Sequence, residues 1–153
     1  MIKRSGFTLV ELLVVISIIG ILAMITSSTF ITAQTKGRDI KRKAELASLV
    51  RALQMYYNDF GKFPDPSLVN LNTGGSLAAN NYVYMAVLPV EQKLSDKPYI
   101  YMVSPGFKSY NLFADLENRD DKECLDPPWT VGGVNYCYGV SSPNASVGKL
   151  TNP

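Results

Sequence analysis

The 153-residue sequence contains no histidine, only two cysteines and a single tryptophan. The absence of histidine removes the commonest metal ligand and the commonest general base. Two cysteines without histidine are too few for a zinc site. The sequence also lacks a nucleophile–base pair, a phosphate-binding loop and a pair of catalytic acids. It therefore favours a protein that is not an enzyme and that uses no metal or other cofactor.

Proline and charge are scarce in the N-terminal part of the chain. No proline precedes Pro64, and Glu11 is the only charged residue from Phe7 to Thr35. This apolar run exceeds the ~20 residues that span a bilayer. An acid in hydrocarbon costs a few kcal/mol or more, so Glu11 is expected to have a function. The run therefore predicts a membrane-spanning helix. A removable secretory signal is the alternative to such a helix, but no small-residue cleavage site follows the apolar run.

The helical pattern continues to about Asn58 and becomes one-sided. Apolar residues recur at steps of three and four, at Ile40, Ala44, Ala47, Val50, Leu53 and Tyr57, widened by Leu46, Leu49 and Tyr56. Such a stripe predicts an amphipathic helix that covers a core. Gly61 and Pro64 predict the end of this helix, because glycine adopts the left-handed conformation and proline cannot continue a helix.

Three later segments, residues 99–103, 110–116 and 136–140, are rich in β-branched and aromatic residues and predict strands. Pro105 and Gly106 predict a hairpin turn between the first two. The composition of residues 65–81 predicts a loop. Residues 82–88 fit a strand or a helix equally well. The predicted fold class is α+β, with one long N-terminal helix packed on a small antiparallel β-sheet.

The start of the chain resembles the class III signal of type IV pilins and type II secretion pseudopilins. The matching residues are Lys3-Arg4-Ser5-Gly6-Phe7-Thr8-Leu9-Val10-Glu11, followed by the apolar run. The resemblance implies cleavage after Gly6 by a prepilin peptidase and N-methylation of Phe7. It also implies that Glu11 pairs with the new amine of a neighbouring subunit during filament assembly, and that the fold is pilin-like.

The resemblance implies four regions. They are a leader peptide at residues 1–6, a transmembrane and assembly helix at 7–35, the amphipathic half of the same helix at 36–60, and a globular domain at 61–153. The expected location is the cell membrane, crossed once, with the C-terminal domain outside the cytoplasm, before the chain joins an extracellular pilus or an envelope filament. Basic residues after the apolar run argue for the opposite orientation, but the cleavage motif is more specific.

A structural subunit of a type IV pilus is the primary interpretation. The alternatives are a pseudopilin of a type II secretion or competence system and, in another class, a bitopic membrane anchor that carries a binding domain. The implied partners are identical or homologous pilin subunits, prepilin peptidase, an inner-membrane assembly platform and membrane lipid. Removal of Lys3 and Arg4 from the 15 basic residues leaves 13, equal to the 13 acidic ones. The mature chain would then have no net positive charge to attract nucleic acid. Nucleic acid is left as an undecided partner.

The resemblance also implies a disulfide between Cys124 and Cys137, similar to the C-terminal loop of many pilins. Two free thiols are the alternative. Residues 115–123 are acidic and offer oxygen ligands for calcium, which major pseudopilins bind in a C-terminal loop. Their spacing matches no known calcium loop, and Arg119 and Lys122 interrupt them, so a solvated charged turn is the preferred interpretation.

Overall fold

A computed structural model describes residues 6–93 and 97–145 of the chain, apart from the side chains of residues 25–29. The chain divides into two compact units, Met1–Gly37 and Arg38–Pro153. Helix α1, Leu9–Phe60, begins in the first unit and ends in the second, and every described strand belongs to the second. The fold is α+β and pilin-like, as the sequence predicts, with the long N-terminal helix packed against small antiparallel sheets.

Helix α1 ends where the sequence places its end. Gly61 follows the helix with a φ of 64°, and its N–H donates to the carbonyl of Tyr57 at 2.7 Å. Glycine adopts this left-handed conformation without steric cost. Beyond it, the hydroxyl of Tyr101 donates to the Pro64 carbonyl at 2.9 Å and holds the departing chain against the sheet.

The buried face of the second half of α1 differs from the predicted one. Four large apolar side chains are buried as expected, at Leu46, Leu49, Leu53 and Tyr56. However, Ile40 is 67% exposed, and Ala44 and Ala47 are exposed as well. Each step of three residues falls about 60° short of a full turn, so the predicted series drifts around the helix. The buried face instead begins with two charged residues, Asp39 and Arg42.

In the part of the chain that the structure describes, seven short strands form three sheets. The strands are β1 Leu77–Ala79, β2 Tyr82–Met85, β3 Ile100–Val103, β4 Tyr110–Ala114, β5 Trp129–Val131, β6 Val134–Tyr136 and β7 Tyr138–Ser141. The central sheet has the order β3-β4-β7, with both pairings antiparallel. The pairs β1–β2 and β5–β6 form separate antiparallel hairpins. A single turn of 3₁₀ helix, Pro66–Leu68, lies between α1 and β1.

The predicted hairpin of β3 and β4 is present, and Gly106 in its turn has a φ of 85°. The third predicted strand, residues 136–140, is wrong as a single element. It is interrupted at Cys137, because β6 ends before this residue in one sheet and β7 begins after it in another. Strands β1 and β5 escape prediction because three residues are too few to show an alternating pattern.

Strand β4 is buried on both faces, because its alternate side chains enter two different cores. Leu112 belongs to the main core, where the sheet meets the leucines of α1. Phe113 belongs to a smaller core with Met102 and Tyr136. The ring of Trp129 stacks on Phe113 with 4.3 Å between centroids. The β5–β6 hairpin therefore covers the side of the sheet that the helix leaves open.

Candidate functional site

The predicted processing site lies on the surface of the first unit. Apart from the neighbouring residues in the chain, no heavy atom of the described residues lies within 4 Å of the position that a Cβ on Gly6 would occupy, and Phe7 is 76% exposed. A peptidase must reach the backbone of the bond that it cleaves, and these surroundings leave that bond accessible. Residues 1–5 of the predicted leader lie outside the described residues.

Glu11 and Thr8 together cap the start of helix α1. The Thr8 carbonyl accepts the first helical hydrogen bond, from Leu12, and the Thr8 hydroxyl oxygen accepts from the Glu11 N–H at 3.2 Å. In return, Glu11 Oε2 accepts from the Thr8 N–H at 2.8 Å and from its hydroxyl at 2.7 Å. This reciprocal arrangement is a capping box, which satisfies N–H groups at the helix start. Glu11 therefore has a structural role in addition to the predicted assembly role.

Large apolar side chains are exposed all around the first turns of α1. They are Leu9, Val10, Leu12, Leu13, Val14, Val15, Ile16, Ile18, Ile19, Ile21, Leu22 and Met24. Soluble monomers rarely expose a contiguous apolar surface of this size, and larger patches mark interaction sites. Among the residues that the structure describes, no helix combines the length and the apolar character needed to cross a membrane.

Arg42 lies at the centre of a buried ion-pair cluster in the second unit. Its guanidinium pairs with Asp39 at 2.7 Å, with Glu91 at 2.7 Å and with Glu117 at 2.9 Å. The Arg42 side chain is only 4% exposed. A buried arginine is tolerated when several carboxylates satisfy its fixed fork of N–H donors. The cluster therefore joins the helix to two loops that are distant in sequence.

Two further basic side chains form ion pairs with Glu117. They are Arg38 at 2.6 Å and Lys93 at 3.0 Å. The hydrogen bond from Arg38 is the main cause that lowers the pKa of the Glu117 carboxyl far below its ordinary value, and bonds from Lys93 and Arg42 lower it further. Glu117 is thus ionised throughout the physiological range and holds three basic side chains together.

Asp39 fixes the backbone of the acidic segment, residues 115–123. Its two carboxylate oxygens accept from the N–H groups of Glu117 and Asn118, each at 2.9 Å. Asp39 is buried. The predicted solvated turn is therefore only partly right. Arg119, Asp120 and Lys122 are exposed, but the start of the segment is bound to the helix by charge-assisted hydrogen bonds.

Lys43 binds the far end of the same segment. Its ammonium pairs with Asp121 at 2.7 Å and with Glu123 at 2.8 Å. Of the acids that suggested calcium ligands, all but Asp120 thus face protein cations in the described residues. Within residues 6–93 and 97–145, no group of three or more acidic or cysteine side chains is placed to hold a metal ion.

Cys124 and Cys137 are joined in a disulfide, so the predicted bridge is confirmed. The bridge connects the residue after the acidic segment to the residue between β6 and β7. The N–H of Leu125 donates to the Cys137 carbonyl beside it. The disulfide and this hydrogen bond close the loop that carries the β5–β6 hairpin.

Replacement of both cysteines by serine is expected to destabilise the second unit by about 3 kcal/mol, because the bridge restricts the unfolded freedom of the closed loop. Proteolysis near the C terminus should become faster, while helix content should change little. Limited proteolysis and circular dichroism measure the two effects. Thiol labelling of the unreduced, denatured wild-type chain is the control, and two reactive cysteines there would mean that no bridge exists.

The structure brings the predicted site residues into two places. Gly6, Phe7 and Glu11 lie at the start of the first unit, and the cysteine pair lies in the second. The capping role of Thr8 was not predicted, although the pattern Thr-x-x-Glu before an apolar run is a recognisable capping signal. The role of Arg42 was not predicted either, and the sequence has no such signal for it.

The chain is similar to known proteins over most of its length. Residues 1–27 match the family described as prokaryotic N-terminal methylation motif. The chain is 32% identical to type II secretion system core protein G of Pseudomonas aeruginosa, over 74% of this chain and 85% of that protein. It is 37% identical to core protein G of Aeromonas hydrophila, over 73% of this chain and 82% of that protein.

A pilin also matches, over a shorter stretch. The type IV major pilin protein PilA of Myxococcus xanthus is 35% identical over 63 residues, which cover 41% of this chain and only 29% of that pilin. No solved structure matches the chain. The coverage therefore favours the pseudopilin alternative over the primary interpretation of a pilus subunit.

The methylation motif, the helix joined to small antiparallel sheets and the coverage of these relatives agree: the chain belongs to the family of type IV pilins and type II secretion pseudopilins. Members of this family are structural proteins, so the chain is not an enzyme. Membership implies processing by a prepilin peptidase, the inner membrane as a location and assembly into a filament.

Proposed function

We propose that the chain is a pseudopilin of a type II secretion system. The observation that supports this proposal best is the length of the matches: two core protein G relatives are matched over more than four-fifths of their length, and the pilin over less than one-third. The proposed filament stays short in the envelope and is built from copies of this chain or homologous subunits. A type IV pilus subunit is the second candidate, favoured by the PilA match over the N-terminal part.

The proposed life cycle follows the four regions of the sequence. Residues 7–35 hold the chain in the membrane with residues 61–153 outside the cytoplasm, and residues 36–60 join the two parts. Prepilin peptidase removes residues 1–6, and an assembly platform in the inner membrane moves the subunit from lipid into the filament. The exposed apolar surface of α1 supports this proposal, because either lipid or neighbouring helices would cover it.

Glu11 is the proposed assembly residue. Both hydrogen bonds that its carboxylate accepts from Thr8 involve Oε2, and Oε1 has no hydrogen-bond partner in the described part of the chain. A carboxylate has about four acceptor sites, so the capping box leaves room for a cation. The amine created on Phe7 of a neighbouring subunit is a suitable cation for a carboxylate in an apolar environment.

Deletion of the gene separates the candidate systems. Loss of this chain should trap exported proteins inside the envelope while surface pili remain, and the wild-type gene should restore export. Comparison of culture medium with the periplasmic fraction measures the effect. Loss of surface fibres with normal export would indicate a pilus subunit instead, and loss of DNA uptake alone would indicate a competence system.

Processing is expected to produce a mature chain that starts at N-methylated Phe7. The leader ends in Gly6, whose small size allows a peptidase to approach the backbone. Mass spectrometry of the N-terminal peptide from membrane fractions measures this directly, with cells that lack the peptidase as control. A chain that retains Met1 in peptidase-containing cells would contradict the proposed processing.

A further inference from the structure

One face of α1 in the second unit points away from the core and is mostly apolar. At about 100° per residue, positions 40, 44, 47, 51 and 55 fall on one side of the helix. This outer face consists of Ile40, Ala44, Ala47, Arg51 and Met55, all of which are exposed. The alanines leave a shallow surface that another chain can approach closely.

Arg51 at the centre of the outer face lacks an acidic partner in the described residues. Its guanidinium donates to the Ser48 hydroxyl at 2.9 Å. By contrast, Arg38, Arg42 and Lys43 on the same helix all bind acids. The outer face thus presents one uncompensated positive charge within an apolar surface.

Negative charge that could balance Arg51 lies on residues 120–126 of the second unit. These residues, here named the acidic loop, overlap the end of the acidic segment. Asp120 and Asp126 are exposed, and neither has a basic partner within the described ranges. The neighbouring acids Asp121 and Glu123 are already bound by Lys43. The disulfide at Cys124 anchors the loop, so these two free carboxylates are held on a constrained backbone.

We propose that the outer face of one subunit packs against the acidic loop of the next subunit in the filament. The inference rests on the proposed function, since it requires an assembly of like copies. The two patches differ, so the contact is head-to-tail, and repetition of such a contact builds an open helical filament when it does not close into a ring. The ion pair between Arg51 and Asp120 or Asp126 fixes the register of the two subunits. The acidic loop of the neighbouring subunit covers the apolar side chains around Arg51.

Reversal of one charge tests the contact in cells that assemble filaments from the full chain. Arg51→Glu should reduce filament yield about tenfold, because like charges then face each other. Asp126→Arg or Asp120→Arg should have the same effect if that residue is the partner. Lys62→Glu is the matched control: it makes the same charge change on an exposed residue outside the outer face. Trp129 fluorescence should show that each variant is folded.

Co-expression of two variants distinguishes a contact between copies from one within a chain. Arg51→Glu and Asp126→Arg, each defective alone, should assemble together, because alternating copies restore an opposite pair at every contact. Ala44→Gln, which adds bulk without charge, should also reduce filament yield and leave the stability of the single chain unchanged.

Filaments that form at wild-type yield from both Arg51→Glu and Ala44→Gln would overturn the inference. Normal filaments with lost export would overturn it too, because the outer face would then bind another component. If co-expression of Arg51→Glu restores filament yield with neither Asp126→Arg nor Asp120→Arg, the pairing of Arg51 with the acidic loop is excluded. If the wild-type chain forms no filaments, the proposed function itself fails, whereas tolerated charge reversals defeat only this inference.

Discussion

Glu11→Ala is expected to abolish filament assembly while the chain remains folded and in the membrane. The carboxylate opposes insertion of the apolar segment into lipid, and helix capping contributes only about 1 kcal/mol, so most of its benefit is expected to come from a partner. In the proposed filament that partner is the processed amine of the neighbouring Phe7. Loss of one member of a desolvated charge pair leaves the other uncompensated, which costs about 3–5 kcal/mol at each contact. Electron microscopy and filament yield after shearing measure the effect.

Two matched variants separate the charge of Glu11 from its capping role. Glu11→Gln retains a side chain that can complete the capping box but removes the charge, so it should fail to assemble. Thr8→Ala removes the cap, at a cost of about 1 kcal/mol, and keeps the charge, so it should still assemble. The opposite result, with assembly by Glu11→Gln and failure of Thr8→Ala, would show that helix capping is the essential role.

Arg42→Ala is expected to destabilise the second unit by about 3–5 kcal/mol. The substitution leaves Asp39 and Glu91 buried beside a vacated site, and Glu117 loses one of its three cations. Urea unfolding of the detergent-solubilised chain, followed by the fluorescence of Trp129, measures the free energy of unfolding. Arg51→Ala is the matched control on the same helix; its exposed side chain should contribute within about 0.5 kcal/mol.

The effect of Arg42→Ala should depend on pH. The folded pKa of Glu117 lies below its ordinary 4.5, so its contribution to stability is present above about pH 4.5 and is lost as the pH falls toward the folded pKa. Arg42 is one of the groups that lower this pKa, so the variant loses part of that contribution. The difference in unfolding free energy between the two proteins should therefore narrow as the pH falls below about 4.5. A difference that widens over this range would contradict the cluster as described.

The parts of the fold that depend on local chemistry could be predicted from the sequence. Gly61 ends the helix because its conformation is a property of the residue itself. The β3–β4 hairpin follows from two aromatic runs around Pro105 and Gly106. The start of the chain identifies the family because a basic leader, an aromatic residue and an acid four positions later form a specific pattern.

The charged core of the second unit could not be predicted, because its partners are far apart in sequence. Hydrophobic periodicity assigns Arg42 and Asp39 to the surface, yet both are buried. Their burial depends on Glu117, which lies 75 residues beyond Arg42, and on backbone N–H groups of the same segment. For the same reason the acidic segment resembled a solvated turn: its composition gives no sign of the cations that bind it. Three residues of the outer face, Ile40, Ala44 and Ala47, were assigned to the core because their spacing is helical and apolar, which is equally typical of a contact between subunits.

The most direct test is electron microscopy of cells that overproduce the full chain, with and without prepilin peptidase, using antibody against residues 61–153 to label the filaments. We expect labelled filaments only when the peptidase is present, because the proposed cleavage after Gly6 would create the amine with which Glu11 is proposed to pair. Chain that remains dispersed in the membrane in processed form, with no labelled filament under either condition, would contradict its assignment as a filament subunit.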